Sequence, residues 1–158
     1  MVYVDDAMFF GKNEKFVKKK KALFMAKWEC QDLRDVKKFL HMHITHTRSG
    51  ITIDQCDYLE KVLEQFQLTN AKSALTSLPT QWEPKVNTGK AMAAEITCYQ
   101  SIIGSLLYLM IGTQPDIAFA VTHLSQFSTN STEEHYKAAQ HICRYLIGTC
   151  DYKLVYTC

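Results

Sequence analysis

Two short apolar runs open the chain, Val2-Tyr3-Val4 and Ala7-Met8-Phe9-Phe10, on either side of Asp5-Asp6 and closed by Gly11. This pattern predicts a β-hairpin with a pair of carboxylates at its tip. Asn13 is a suitable cap for a helix from about Glu14 to Trp28, in which Phe16, Val17, Leu23 and Phe24 recur near one side. The segment Lys38 to Thr47 alternates imperfectly, Ser49-Gly50 supplies a turn and Ile51-Thr52-Ile53 returns, so a second hairpin is expected. Tyr58, Leu59, Val62, Leu63 and Phe66 then form a helical stripe.

From Thr69 to about Ala94 the periodicity disappears while Pro79, Pro84, Gly89 and several Ser, Thr and Asn residues accumulate, the mark of a linker. Three helical patterns follow, at about Glu95 to Gly112, Asp116 to Phe127 and Thr132 to Ile147. Ser131 and Glu134 have the spacing of a capping box for the last of these, Gly148 closes it, and Tyr152 to Tyr156 reads as a terminal strand. Phe119, Phe127, Tyr136 and Tyr145 are spaced as helix core positions rather than as base-stacking platforms. The expected class is α+β, organised as residues 1–68, a linker at 69–94 and a helical region with a terminal strand at 95–158.

Composition narrows the possibilities. With 158 residues, 47% hydrophobic, only 3 Pro and 6 Gly, the chain is globular rather than disordered. Residues 1–50 carry 11 Lys and Arg against 6 Asp and Glu, and residues 51–158 carry 7 against 10, so basic charge concentrates at the front. Six cysteines without CxxC pairs fit a reduced, intracellular setting. His41, His43 and His46 near Cys30 lack a partner pair at zinc-finger distance and read as polar strand residues. No run reaches the roughly 18 apolar residues of a membrane span. The Ile102–Ile111 stretch reads as a buried helix, and the acidic start is unlike a secretory leader. His123, His135 and His141 have no nucleophile at a recognisable spacing, so hydrolase chemistry has little support.

Adjacent carboxylates repel unless solvent or a cation screens them. A solvated turn is one reading of Asp5 and Asp6. A divalent ion is the other, since hard cations such as Mg²⁺ take oxygen ligands and a two-metal site neutralises charge in phosphoryl and nucleotidyl transfer. Lys12, Lys15, Lys18, Lys19, Lys20, Lys21 and Lys27 crowd into sixteen residues. They form either a solvated helix flank or a phosphate-neutralising face with salt-sensitive affinity for nucleic acid.

Tyr3-Val4-Asp5-Asp6 between apolar strands resembles the YVDD box of reverse transcriptases, and the remaining blocks resemble the Ty1/copia class of retrotransposon polymerases. In order, these are Asp32-Leu33, Lys38-Phe39-Leu40, Gly50-Ile51 with Gln55 and Tyr58-Leu59, Tyr99, and Gly104-Ser105-Leu106-Leu107-Tyr108-Leu109. Thr113 to Val121, Leu124-Ser125-Gln126-Phe127, Glu134-His135 and Arg144-Tyr145-Leu146-Ile147-Gly148-Thr149 complete the match, which covers essentially the whole chain.

The resemblance implies a partial polymerase palm carrying YVDD, followed by thumb-like and helical connection regions. It implies that Asp5 and Asp6 are catalytic metal ligands for two Mg²⁺ ions shared with a third aspartate on an earlier strand, Asp5 being the firmer ligand. It places Tyr3 and Val4 by the nucleotide or primer end and Phe39, Leu40 and His41 at the primer grip. His41 stands where the family usually has glycine, and Arg34 departs likewise from Asp-Leu-Gly. Glycine permits positive φ, so both changes bear on primer positioning. Gln114 stands in for a common arginine.

The implied partners are RNA or DNA template-primer, deoxynucleotides, upstream fingers and palm, and a downstream RNase H of the same polyprotein, without a membrane. The implied location is the cytoplasm, in a virus-like particle, or the nucleus. The expectation is a fragment of an RNA-directed DNA polymerase that is inactive by itself. The alternatives are a non-catalytic nucleic-acid-binding or interaction remnant of a decayed element, and a piece that does not fold stably alone.

Overall fold

A computed structural model describes residues 1–157, which divide into two compact units, the first from Met1 to Phe39 and the second from Leu40 onward. The chain is a mixture of helix and sheet, in agreement with the α+β expectation.

In the first unit, β1 (Val2–Tyr3) and β2 (Asp6–Ala7) form the expected hairpin, and α1 (Glu14–Lys27) follows, with β3 (Lys38–Phe39) at its end. The α1 start is as predicted: the Asn13 side chain accepts the Phe16 N–H at 3.1 Å, satisfying a donor the first turn leaves free. The apolar stripe is weaker than its spacing suggested. No α1 residue is buried, and Phe16 and Leu23 stay exposed. Phe9 meets Phe24 edge-on at 5.4 Å and Phe24 lies 6.5 Å from Trp28, so a small aromatic group fastens the helix to the chain leaving the hairpin.

In the second unit, β4 (Met42–Thr47), β5 (Gly50–Asp54) and β6 (Leu154–Thr157) are antiparallel in the order β4-β5-β6. The predicted strand Lys38 to Thr47 is not continuous, because Leu40 and His41 form a turn before β4. Gly50 is needed where β5 meets β6: its φ is 151°, and an added Cβ would lie 1.9 Å from the Tyr156 carbonyl oxygen. The helices are α2 (Cys56–Gln65), α3 (Ala93–Gly112), α4 (Ala118–Ser125) after a 3₁₀ turn at Pro115–Ile117, and α5 (Glu133–Thr149). Leu59 and Val62 of α2, Tyr99, Ile102, Leu106 and Leu109 of α3, Val121 and Leu124 of α4, and Ile142 and Leu146 of α5 build one core. By length and composition α3 could cross a membrane. Here it turns its Tyr99-Ile102-Leu106-Leu109 stripe into that core.

Three details depart from the sequence reading. The cap of α5 pairs Thr132 with His135 rather than Ser131 with Glu134: the Thr132 N–H donates to His135 Nδ1 at 2.9 Å, and the His135 N–H donates to Thr132 Oγ1 at 3.4 Å. Ser131 is itself buried, and the helix begins one residue later. Gly148 lies inside α5, which continues to Thr149. Phe119 is 75% exposed, whereas Phe127, Tyr136 and Tyr145 pack against the core as expected.

Residues 69–92 carry no helix or strand. Leu78 and Trp82 pack on the core, and Asn130 holds this segment through its amide to the carbonyls of Asn87 and Gly89 and its oxygen to the Ala91 N–H. Arg144 Nε donates to the Lys72 carbonyl at 2.7 Å. Polar clamps replace regular backbone pairing, which is why periodicity is silent over this stretch.

Candidate metal and nucleic-acid site

The register of the first hairpin pairs Val2 with Ala7 and Tyr3 with Asp6. Val4 and Asp5 are therefore the turn, and Asp6 already belongs to a strand. The tip thus carries one aspartate, not two. Val4 has φ 47°, the positive value that the first central position of a type II′ turn requires and glycine usually supplies. A β-branched residue in that region costs about 1–3 kcal/mol, and such strain persists where its surroundings fix it. Exchange of hydrogen bonds between Met1 and Met8, at 2.8 and 2.9 Å, closes the base of the hairpin. Tyr3, Val4, Asp5 and Asp6 are all exposed. Among the described residues no lysine or arginine pairs with either carboxylate.

The lysines follow on α1. Lys15, Lys18 and Lys19 share one face by their i, i+3, i+4 spacing, while Lys20 and Lys27 point elsewhere. Their electrostatic settings also differ. Lys18 pairs with Glu14 at 2.5 Å, which holds the Glu14 carboxyl below its usual range. Lys21 pairs with Asp32 at 2.5 Å. Lys20 lies 5.5 Å over the Phe16 ring and Lys27 5.4 Å over Trp28. The face available to an anion is therefore narrower than seven lysines in the sequence imply. Asp32, whose pKa is lowered by Lys21 and by the Arg34 N–H, accepts that N–H at 2.7 Å and holds Arg34 at φ 63°.

In the second unit, Leu40 and His41 have φ 49° and 56°, the two successive positive values of a type I′ turn. Arg34 and His41, the two departures from glycine, thus keep the backbone glycine would favour. Each pays the steric cost of about 1–2 kcal/mol that L-residues incur there. Phe39, just before the turn, is buried, and Leu40 and His41 are its two central residues. Tyr108 Oη donates to the Leu40 carbonyl at 2.5 Å, Tyr108 meets Tyr58 edge-on at 4.8 Å, and His41 lies 6.1 Å from Tyr58. Periodicity reads Tyr58 and Tyr108 only as helix positions, so nothing in the sequence pattern marks them as supports of this turn.

Two adjacent, exposed carboxylates are hard oxygen donors that suit a magnesium-like ion. Among the described residues no group of three or more His, Cys, Asp or Glu side chains could hold a metal. The donor set therefore fits such an ion as a partial site. His43 does not join one: its ring lies between Asp57, at 2.9 Å, and Asp54, at 3.6 Å. Asp54 is also held by Lys153 at 3.0 Å, so these groups tie strands together.

The family model for reverse transcriptase (RNA-dependent DNA polymerase) matches residues 1–80, just over half of the chain and the part holding both turns and α1. The chain belongs to the copia-type reverse transcriptases. It is 36% identical over 94% of its length to the Retrovirus-related Pol polyprotein from transposon TNT 1-94 of Nicotiana tabacum. It is 29% identical over 96% of its length to the polyprotein from transposon RE2 of Arabidopsis thaliana. A Putative transposon Ty5-1 protein of Saccharomyces cerevisiae is 32% identical over 94% of the chain, which covers 48% of that protein. The chain spans only 12% and 10% of the two plant polyproteins. No solved structure matches it.

Proposed function

We propose that this chain is the YVDD-bearing part of a copia-type RNA-directed DNA polymerase, with Asp5 and Asp6 as metal ligands and α1 as a contact to nucleic-acid backbone. The observation that carries this reading is the hairpin itself: a strained Val4 turn places Asp5 at an exposed tip beside Asp6 and Tyr3, on the same unit as the lysine helix. A bound Mg²⁺ pair would supply charge neutralisation at the triphosphate. The chain's own residues do the rest. Asp5 and Asp6 hold their oxygens outward, Tyr3 lies across the strand from Asp6, and Lys12, Lys15 and Lys19 offer ammonium groups to phosphates. The Leu40–His41 turn serves as a primer contact.

In this reading the first 68 residues correspond to partial palm and thumb-proximal chain, and residues 95–158 to a connection region. Further polymerase and RNase H regions come from the rest of a polyprotein, in an intracellular setting suited to free cysteines. The 158-residue chain alone does not polymerise, because two carboxylates leave a two-metal site short of ligands.

The test is primer extension with Mg²⁺, using the chain alone and the chain substituted for the matching stretch of the tobacco polyprotein. The chain alone should give no incorporation. The chimera should extend primer, and Asp5→Asn or Asp6→Asn should reduce extension to background. Extension by the Asp5→Asn chimera would contradict the metal assignment.

A further inference from the structure

Two side chains outside the lysine helix and the acidic turn converge on the only place where consecutive non-glycine residues, among the described ones, both hold positive φ: Leu40 at 49° and His41 at 56°. Such a pair does not hold itself, since L-residues in this region relax unless neighbours oppose it. Three contacts oppose it here. Tyr108, from the middle of α3, donates its phenol hydrogen to the Leu40 carbonyl at 2.5 Å. Tyr58, from α2, meets the Tyr108 ring at 4.8 Å with an interplanar angle of 62°. The His41 ring rests 6.1 Å from Tyr58. Tyr108 is partly exposed although it sits in an apolar helix whose neighbours at 102, 106 and 109 are fully or nearly buried. Its position serves the turn rather than the core.

We propose that Tyr108 is a positioning residue: by fixing the Leu40 carbonyl and bracing Tyr58 under His41, it sets the turn in the geometry that meets a primer strand. This rests on the reading of that turn as a primer contact. It assigns a role to α3, which lies beyond the matched residues 1–80 and which that reading leaves as support. The hydroxyl carries the role. Removing it leaves the aromatic pair and the packing intact while freeing the Leu40 carbonyl. Because the strain lies in the backbone, a glycine at position 41 should make the hydroxyl dispensable.

The experiment uses the full chain with a hairpin-primed DNA bearing a diazirine at the primer 3′ end. Photo-adducts are mapped to the tryptic peptide 39–48 and to α1, and thermal midpoints are measured alongside. Wild type should label the 39–48 peptide. Tyr108→Phe should lose about fivefold of the turn adduct, the worth of one neutral hydrogen bond, with any α1 labelling unchanged and the thermal midpoint lowered by no more than about 2–4 °C. Tyr108→Phe with His41→Gly should recover labelling of the peptide. An unchanged turn adduct in Tyr108→Phe overturns the inference, and so does a loss that His41→Gly fails to restore. Labelling of α1 with none at 39–48 in wild type overturns instead the primer-contact reading on which it rests.

Discussion

The first 39 residues hold ten of the eighteen Lys and Arg residues and the Asp5-Asp6 pair, yet among them only Phe39 is buried. The second unit is mildly acidic and encloses a continuous core from α2 to α5. Burial of apolar surface is the main driving force for folding, so this contrast divides labour along the chain. The second unit has the means to be stable. The first has exposed chemistry held by a short hairpin, one capped helix and three aromatic rings.

The largest effect should come from cutting the core. Leu106 is fully buried in α3, and Leu106→Ala should cost about 2–5 kcal/mol in urea unfolding, as large-to-small core substitutions do. Phe24→Ala in the first unit should leave the main transition in place, because its ring is only partly covered. If both substitutions moved that transition equally, the division of stability between the units would be wrong.

Acid should act on the second unit next. His135 is 1% exposed, stacked on Phe127 at 4.1 Å, and burial pushes its pKa below the usual histidine value, the Glu134 charge offsetting part of that. Its Nδ1 accepts the Thr132 N–H, and its Nε2 has no partner among the described residues. The unfolded chain therefore takes up a proton before the folded one does. Stability is fully present above about pH 6.5 and falls as pH drops from there towards the depressed folded value, where the decline levels off. His141, lowered by burial and only partly restored by its bond to the Thr76 carbonyl, adds to the same slope. Urea midpoints at pH 7.5 and 5.5 should differ for the wild type. They should differ less for His135→Phe and least with His141→Gln added. A pH-independent midpoint in the wild type would contradict the buried neutral histidine.

Relief of backbone strain is a smaller effect and has the opposite sign. His41→Gly should raise stability by about 1 kcal/mol, because glycine adopts positive φ without the clash an L-residue meets. The gain would appear in the main transition of the second unit. Destabilisation would mean that the His41 contact with Tyr58 outweighs the strain.

The elements that follow from repeating patterns were legible in the sequence. Asn13 before α1, the Leu59-Val62-Leu63 stripe of α2 and the second hairpin are local, and local preference agreed with the fold there. What escaped the pattern was set by backbone conformation or by distant polar partners. Val4 in a two-residue turn looks like an ordinary apolar strand residue, and only the pairing of Tyr3 with Asp6 shows that Asp5 alone occupies the tip. Ser131 and Glu134 match a capping box, but Thr132 and His135 satisfy the same donors one residue later, with His135 buried in the core. The lysines were legible as a cluster. That Lys18 and Lys21 are already paired with carboxylates depends on side-chain geometry, which spacing does not specify.

The central claim is that the first unit meets a nucleic-acid backbone through α1, and the salt dependence of binding tests it most directly. Affinity for a primed DNA hairpin, measured without divalent metal from 50 to 300 mM salt, should fall steeply for the wild type. Lys15→Ala with Lys19→Ala should lower the magnitude of the log–log slope by about 1–2, the loss of one or two phosphate contacts. Lys18→Ala with Lys21→Ala, which removes ammonium groups already paired with Glu14 and Asp32, should lower it less. Binding that ignores salt, or a slope unchanged in the Lys15 and Lys19 variant, would contradict the account.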